Sequence, residues 1–451
     1  MRDLGFIFYL MLLVGLGFKR PFLFVLAFAY IDIVQPQRLS YYLLNSVQVS
    51  LIVAAMAFVA WAIFDNKKGA RFAPRQGLML LLLLYAFVTT QNADFPVEAQ
   101  GKWDWASKAL IWSIFLPLAL RTRLRIEAYL LFMLLSASAI FIVGGIKTAI
   151  SGGGYGQQIF MLNDNTGLYE GSTGSTFAIA IIPLILWFCR HGTIFPPDWR
   201  VKLFSANLIF ACLLIPVGTA ARTGMLCIAA LAAMVMRDMK RRIGYVFLVV
   251  AATLAAIPML PEDFTGRMDT IAGYEADASA TTRLAIWAWT WDYAQRNPWG
   301  GGFDAYRSSE IKVETKAVEA SGSVASVQAT TQQDKSRAYH SSYFEMLGEQ
   351  GFPGLILFLL IHVGGLVRME VLRRRFKKAE GGDAWISPLA TALQHAHIIY
   401  LIGSLFVGIA FQPFAYLLVA VQIGLDNTVS AKARAKKPIA AKPALATAAS
   451  D

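Results

Sequence analysis

Apolar runs of roughly 15 to 25 residues recur along the whole chain with short polar stretches between them, which is the length a helix needs to cross a hydrocarbon layer of about 30 Å. The runs fall at 4–18, 21–34, 42–64, 77–90, 107–120, 126–150, 174–190, 202–217, 222–236, 243–260, 341–366, 388–409 and 411–426. A soluble domain has no use for so much apolar surface, and the mean hydropathy of +0.51 agrees. The expected fold is all-α: a polytopic membrane bundle of about 12–13 transmembrane helices. The first two runs are short enough to form one broken crossing, so the side of the N-terminus stays open. Arg2 is followed by Asp3, and no small-residue cleavage site precedes "KRP", so the first run is read as retained rather than as a signal sequence.

The formal charge of +12 suggests nucleic acid only in a soluble chain; here its placement decides. "KR" at 19–20, "NKKGARFAPR" at 66–75, "RTRLR" at 121–125, "RDMKRR" at 237–242 and "RRRFKK" at 373–378 occupy alternate loops. The positive-inside rule puts them in the cytoplasm. The intervening loops at 91–105 and 151–173 are poor in Lys and Arg and face outward. The expected organisation is N-terminal membrane helices over 1–260, a large outer loop over 261–340, C-terminal membrane helices over 341–426 and a disordered basic tail over 427–451.

The outer loop is the longest polar stretch, and function concentrates in such loops. It carries Trp287, Trp289, Trp291 and Trp299 within a short interval. From Arg283 to Gln295 the pattern suits an interfacial helix with Arg283, Trp287 and Trp291 on one face and Thr281 or Thr282 as its cap. Tryptophan favours the headgroup zone, so an anchoring role competes with a role in support of a site. "NPWGGG" ends the helix. Residues 308–336 lack aromatics and read as a lid or a plain flexible loop.

Three residues start helices on this outer surface: Arg222 in "GTAARTGML", Arg283, and His340 in "RAYHSSYFEMLGEQGFPG". A helix N-terminus carries unsatisfied N–H groups and partial positive charge, and a guanidinium donates a planar pair of hydrogen bonds, so the set suits a diphosphate. Arg222 as a snorkelling anchor and Arg283 as a solvated charge are the plainer alternatives. His340 is able to accept a proton near neutral pH, with Ser341 or Ser342 capping the helix after it. On a straight helix Glu349 lies about 13 Å into the membrane, where a carboxylate needs a buried cation or a task in the site. His191, His362, His395 and His397 are weaker candidates, the last two lying on different faces of one helix. Cys189, Cys212 and Cys227 read as packing residues. No HExxH, P-loop, dinucleotide or DxD motif occurs, and the reading calls for no metal, no cofactor and no nucleic acid.

"GTAARTGML", "TTRLAIWAWTWDYAQRNPWGGGFDAYR" and "AYHSSYFEMLGEQGFPGLILFLL" resemble, in this order around one large loop, the signatures of the O-antigen ligase and O-antigen polymerase superfamily. The opening "MRDLGFIFYL", "RPF" and "PQRLSY" is similar to its exosortase A-associated O-glycosylation ligase branch. The resemblance implies a bacterial inner-membrane glycosyltransferase that moves a glycan from an undecaprenyl-diphosphate carrier to an acceptor hydroxyl on the periplasmic face. The arginine roles fall on Arg222 and Arg283, which engage the diphosphate, and the role of base falls on His340. Glu349, Ser341 and Trp287 are supporting candidates. Where the family has His-Asn, this chain has His340 followed by Ser341. A polymerase joining carrier-linked repeat units is the alternative, and a transporter of lipid-linked anions is the reading from another class.

Overall fold

The computed structural model describes residues 2–44, 46–67, 70–152, 167–237, 278–321 and 324–435. Its helices are α1 (Arg2–Lys19), α2 (Phe22–Val34), the single turn α3 (Pro36–Leu39), α4 (Val49–Phe64), α5 (Pro74–Gln91), α6 (Pro96–Ala119) and α7 (Arg123–Ser151). They continue as α8 (Gly171–His191), α9 (Trp199–Gly218), α10 (Arg222–Arg237), α11 (Ala278–Arg296), α12 (Ser342–Arg375), α13 (Ile386–Gly403) and α14 (Pro413–Ala435). The expected span at 243–260 and the start of the outer loop lie outside the described residues; every other expected span falls on a helix. The protein is an all-α polytopic membrane bundle. Among the described residues, α7, α8, α9, α12 and α14 are individually long and apolar enough to cross a bilayer, and α2 and α4 are shorter apolar helices.

The polarity is that of a membrane protein. Leu51, Ile52, Val59, Ile63 and Phe64 of α4 and Ile356, Leu360, Val363 and Val367 of α12 face outward and exposed, while Gln76, Glu127, Glu349, Gln350, His362, His397 and Gln422 are buried inside. Lipid removes the penalty for the first set and would impose one on the second. Aromatic stacking anchors the first half of the core, with Phe28 over Trp112 at a centroid distance of 3.8 Å. Gly145 lets α7 lie directly on α9, since a Cβ there would meet the Ala211 Cβ at 2.7 Å.

Buried polar side chains bond one another across four helices. Arg75 of α5 donates to Gln422 Oε1 on α14 at 2.9 Å. The Gln422 amide therefore donates to His397 Nδ1 at 3.0 Å, which leaves the His397 proton on Nε2 to donate to His362 Nδ1 at 2.7 Å. The sequence reading treats these two histidines separately; the structure makes them one chain joining α12, α13 and α14.

Contacts sort the loops onto two ends. At one end Asp65 accepts from Arg121 and Arg125 at 2.8 and 2.7 Å, Arg123 donates to the His191 carbonyl at 2.9 Å and lies over Trp385, and Asn427 donates to the Arg71 carbonyl. At the other, Asp94 N–H donates to the Gly301 carbonyl at 2.8 Å, Tyr169 bonds the Val34 carbonyl, and Ser342 N–H donates to the Ser404 carbonyl at 2.8 Å. The described basic loops thus share one end, as their alternation predicts, while residues 238–242 of the run at 237–242 lie outside the described residues. Asp3 accepts from the N–H groups of Tyr41, Tyr42 and Leu43, so α1 begins at the non-basic end, and it turns at Arg20 beside Arg125. The first two runs are therefore two antiparallel helices rather than one broken crossing.

Three elements differ from expectation. α6 begins at Pro96 rather than near 107, because Lys102 finds buried partners and need not lie in a loop. α14 continues to Ala435, held past residue 426 by Asn427 and the buried Thr428 and Val429. Residues 310–321 and 324–335 form an antiparallel hairpin, β1 and β2, in the register Glu310 with Lys335 to Ser321 with Val324, where the sequence reads as a flexible loop. Single cysteines at Arg71 and Arg337, in a chain whose own cysteines are replaced, are expected to react with an impermeant maleimide from opposite sides of sealed vesicles. Labelling of both from one side would contradict the two-ended arrangement.

Candidate functional site

α12 is one helix only in outline. Gly351 has φ 62° and ψ −167°, so the helix breaks after Gln350 and resumes before Pro353. The sequence reading drew a continuous span through this point, whereas the first helical stretch, which carries Glu349, ends here. The break exposes polar backbone that lipid cannot satisfy. The turn "NPWGGGF" fills it: Gly301 N–H donates to the Gly348 carbonyl at 3.1 Å, Gly302 N–H to the Glu349 carbonyl at 2.9 Å, and Phe352 N–H to the Pro298 carbonyl at 3.0 Å. Gly300 has φ 86° and abuts the Gly351 nitrogen, so neither position admits a side chain. Tyr85 of α5 donates to the Trp299 carbonyl at 2.7 Å and closes the turn from the other side.

On the outer side of this joint lies a buried ion cluster. Lys102 Nζ sits 2.6 Å from Glu345 Oε1 and 2.8 Å from Glu349 Oε1. The second oxygen of Glu345 accepts from Ala410 N–H at 3.0 Å, and Glu349 Oε1 also accepts from Asp304 N–H at 3.1 Å. Glu349 is fully buried and serves as a structural partner of Lys102. Sequence reasoning missed Lys102, although an uncompensated buried carboxylate at Glu349 demands such a cation.

His340 stands immediately before the first half of α12, exposed, with φ 50°. Ser341 occupies the N-cap position but makes no side-chain capping bond, so the expected cap is absent. Its neighbour is used differently: the Ser342 hydroxyl donates to the Val407 carbonyl at 2.8 Å and accepts from Ile409 N–H at 2.9 Å. On the other side, Tyr339 is buried over Gly348, and its carbonyl accepts from the Trp287 indole N–H at 2.8 Å.

α11 supplies that indole. Its described part begins at Ala278, so Arg283 lies inside the helix rather than at its start, and Thr281 and Thr282 are helical residues rather than caps. The four tryptophans divide by environment. Trp287 stacks on Phe344 with centroids 5.1 Å apart and planes 6° from parallel, and Trp289 stacks on Tyr293 at 4.9 Å. Trp291 and Trp299 are exposed, as headgroup anchors are.

The Arg283 charge acts on the His340 imidazole. Crowding by protein lowers the His340 pKa below its ordinary value of 6.5, the Arg283 and Arg337 charges lower it further, and Glu170 opposes them. The imidazole is therefore neutral at pH 7. Glu170, which the sequence reading did not single out, caps α8 by accepting from Ser172 N–H at 3.0 Å and Thr173 N–H at 2.6 Å. Its sequence signal is an acidic residue just before "GSTGST".

Arg222 opens α10 after a tight turn with Ala220 at φ 48°. Gly224, two residues on, presses against Ser175 of α8; Thr176 of α8 presses against Gly403, whose neighbour Ser404 binds Ser342. Arg222 thus shares the end of the bundle with His340. The Arg283 charge reaches His340, and this packed relay connects the start of α10 to the same end.

Residues 207–359 match the O-antigen ligase family, and residues 1–193 match a family of unknown function (DUF5935). No curated protein matches the chain. The ligase match runs from α9 to the second half of α12 and so takes in Arg222, Arg283, His340 and Glu349. It supports a membrane enzyme of the O-antigen ligase type.

Two outcomes follow from this geometry. Lys102→Ala leaves two carboxylates buried without their cation and is expected to cost about 3–5 kcal/mol, read as a large fall in melting temperature in detergent. Acylation of His340 by diethyl pyrocarbonate, followed by peptide mass spectrometry, is expected to reach half its maximum rate below pH 6.5. Arg337→Gln should move that midpoint up and Glu170→Gln should move it down.

Proposed function

We propose that this chain is a glycosyltransferase that moves a glycan from an undecaprenyl-diphosphate carrier to an acceptor hydroxyl, at the non-basic end of the bundle, facing the periplasm of an inner membrane. The observation that carries the reading is a solvent-exposed histidine at that end, its pKa lowered by burial and by the Arg283 charge, inside the segment that matches the ligase family.

The reaction is a displacement. His340 removes the proton of the acceptor hydroxyl as its oxygen forms a bond to the anomeric carbon, and the bond from that carbon to the carrier phosphate breaks with its electron pair leaving on the diphosphate. Attack opposite the leaving group inverts the anomeric centre. Arg222 and Arg283 hold the diphosphate and offset the charge that gathers on it, the task a divalent ion performs in many sugar transferases. The diphosphate leaves without protonation, so a single titratable group suffices. Arg283 has a double effect, since the charge that binds the leaving group also keeps His340 in the form that accepts a proton. The polyprenyl tail stays in the lipid against the exposed apolar helix faces.

The test uses the purified full chain with a carrier-linked glycan and a hydroxyl acceptor. His340→Ala is expected to reduce transfer by about 10²-fold or more while donor binding persists, and Arg222→Ala or Arg283→Ala to weaken donor engagement. Transfer should continue in excess chelator. A single transferred block identifies a ligase, whereas a ladder built from carrier-linked units alone identifies a polymerase; an unimpaired His340→Ala enzyme would falsify the base assignment.

A further inference from the structure

His340 adopts a left-handed backbone at φ 50°, a strained conformation for a side-chain-bearing residue that persists only where neighbours fix it. Both flanking peptide groups are fixed. Before it, the Tyr339 carbonyl accepts the Trp287 indole N–H at 2.8 Å, the indole is clamped by its parallel stack on Phe344, and the Tyr339 ring is buried over Gly348. After it, the fully buried Ser342 donates its N–H to the Ser404 carbonyl, donates its hydroxyl to Val407 and accepts from Ile409 N–H. What remains free is the rotation of the imidazole about its own side-chain bonds.

Trp287 and Arg283 lie four residues apart on α11 and so share a face of that helix. One rigid element thereby carries the group that lowers the His340 pKa and the donor that holds the backbone next to His340. We infer that Trp287 is a positioning residue: α11 acts as a ruler that sets the separation between the imidazole of His340 and the diphosphate-binding guanidinium of Arg283. The inference rests on His340 being the base of the proposed reaction, and it assigns Trp287 no contact with substrate.

Trp287→Phe keeps an aromatic ring on Phe344 and removes only the N–H. In the purified full chain this variant is expected to lower kcat by about 10- to 100-fold, the range for a small misplacement of a reacting group, with the donor KM changed by less than about twofold and the melting temperature kept. In a His340→Ala background the same substitution should have no further effect on residual transfer. Independently of activity, the pH midpoint for acylation of His340 by diethyl pyrocarbonate should rise toward 6.5 in Trp287→Phe, because a released imidazole moves away from Arg283.

A variant with the native kcat and an unmoved midpoint overturns the ruler and leaves the base assignment standing. An equal loss in the presence and absence of His340 also overturns it, since the effect then does not pass through the imidazole. Should His340→Ala remain fully active, the functional reading fails, and the acylation midpoint still decides whether Trp287 holds His340 in place.

Discussion

Lys102 reaches from α6 between two carboxylates of α12, and the segments that build the outer end of the bundle are tied to that cluster. Its partner Glu349 accepts the Asp304 N–H that follows the glycine turn, and its partner Glu345 accepts the Ala410 N–H that precedes α14. A cation and two anions in a low-dielectric interior are tolerable only when every remaining lone pair finds a donor, and here backbone N–H groups from two loops supply them. The cluster therefore fixes α6, α12, the turn after α11 and the approach to α14 with respect to one another. His340 is presented by the first half of α12, so its location inherits that rigidity.

The polar interior lower in the bundle serves the same end by a different route. The donor sequence from Arg75 through Gln422 and His397 to His362 runs in one direction, because the amide of Gln422 has one oxygen, and Arg75 occupies it. Both imidazoles are thereby held neutral in stated tautomers, which suits a region where an isolated charge is expensive. His340, at the outer end, is exposed to solvent instead.

Much of the fold could be read from the residues, and the reasons are physical. Spans such as 126–150 and 174–190 are long apolar runs with basic ends, and both length and sidedness are properties of local composition. Arg222 and His340 were legible because each stands at a helix start beside a large loop. Arg283 was placed correctly in α11 but wrongly at its N-terminus, since no strong cap marks where the helix begins. The helix break at Gly351 and the purpose of "NPWGGG" were not legible, because each is explained only by the other and they lie about fifty residues apart in sequence. Lys102 escaped for the same reason, since its partners Glu345 and Glu349 are distant in sequence, whereas Glu170 was passed over although its capping partners Ser172 and Thr173 are its near neighbours. Residues 310–335 lacked the aromatic content that usually announces strands, yet they pair with themselves as a hairpin.

A helix severed at Gly351 and spliced by a foreign turn has an evolutionary consequence. The glycines of 300–302 and the gap in α12 are two halves of one fitting, and neither shape makes sense without its counterpart. The outer turn cannot be exchanged without the upper part of this helix. The unit that must change together is then wider than the loop that meets the solvent.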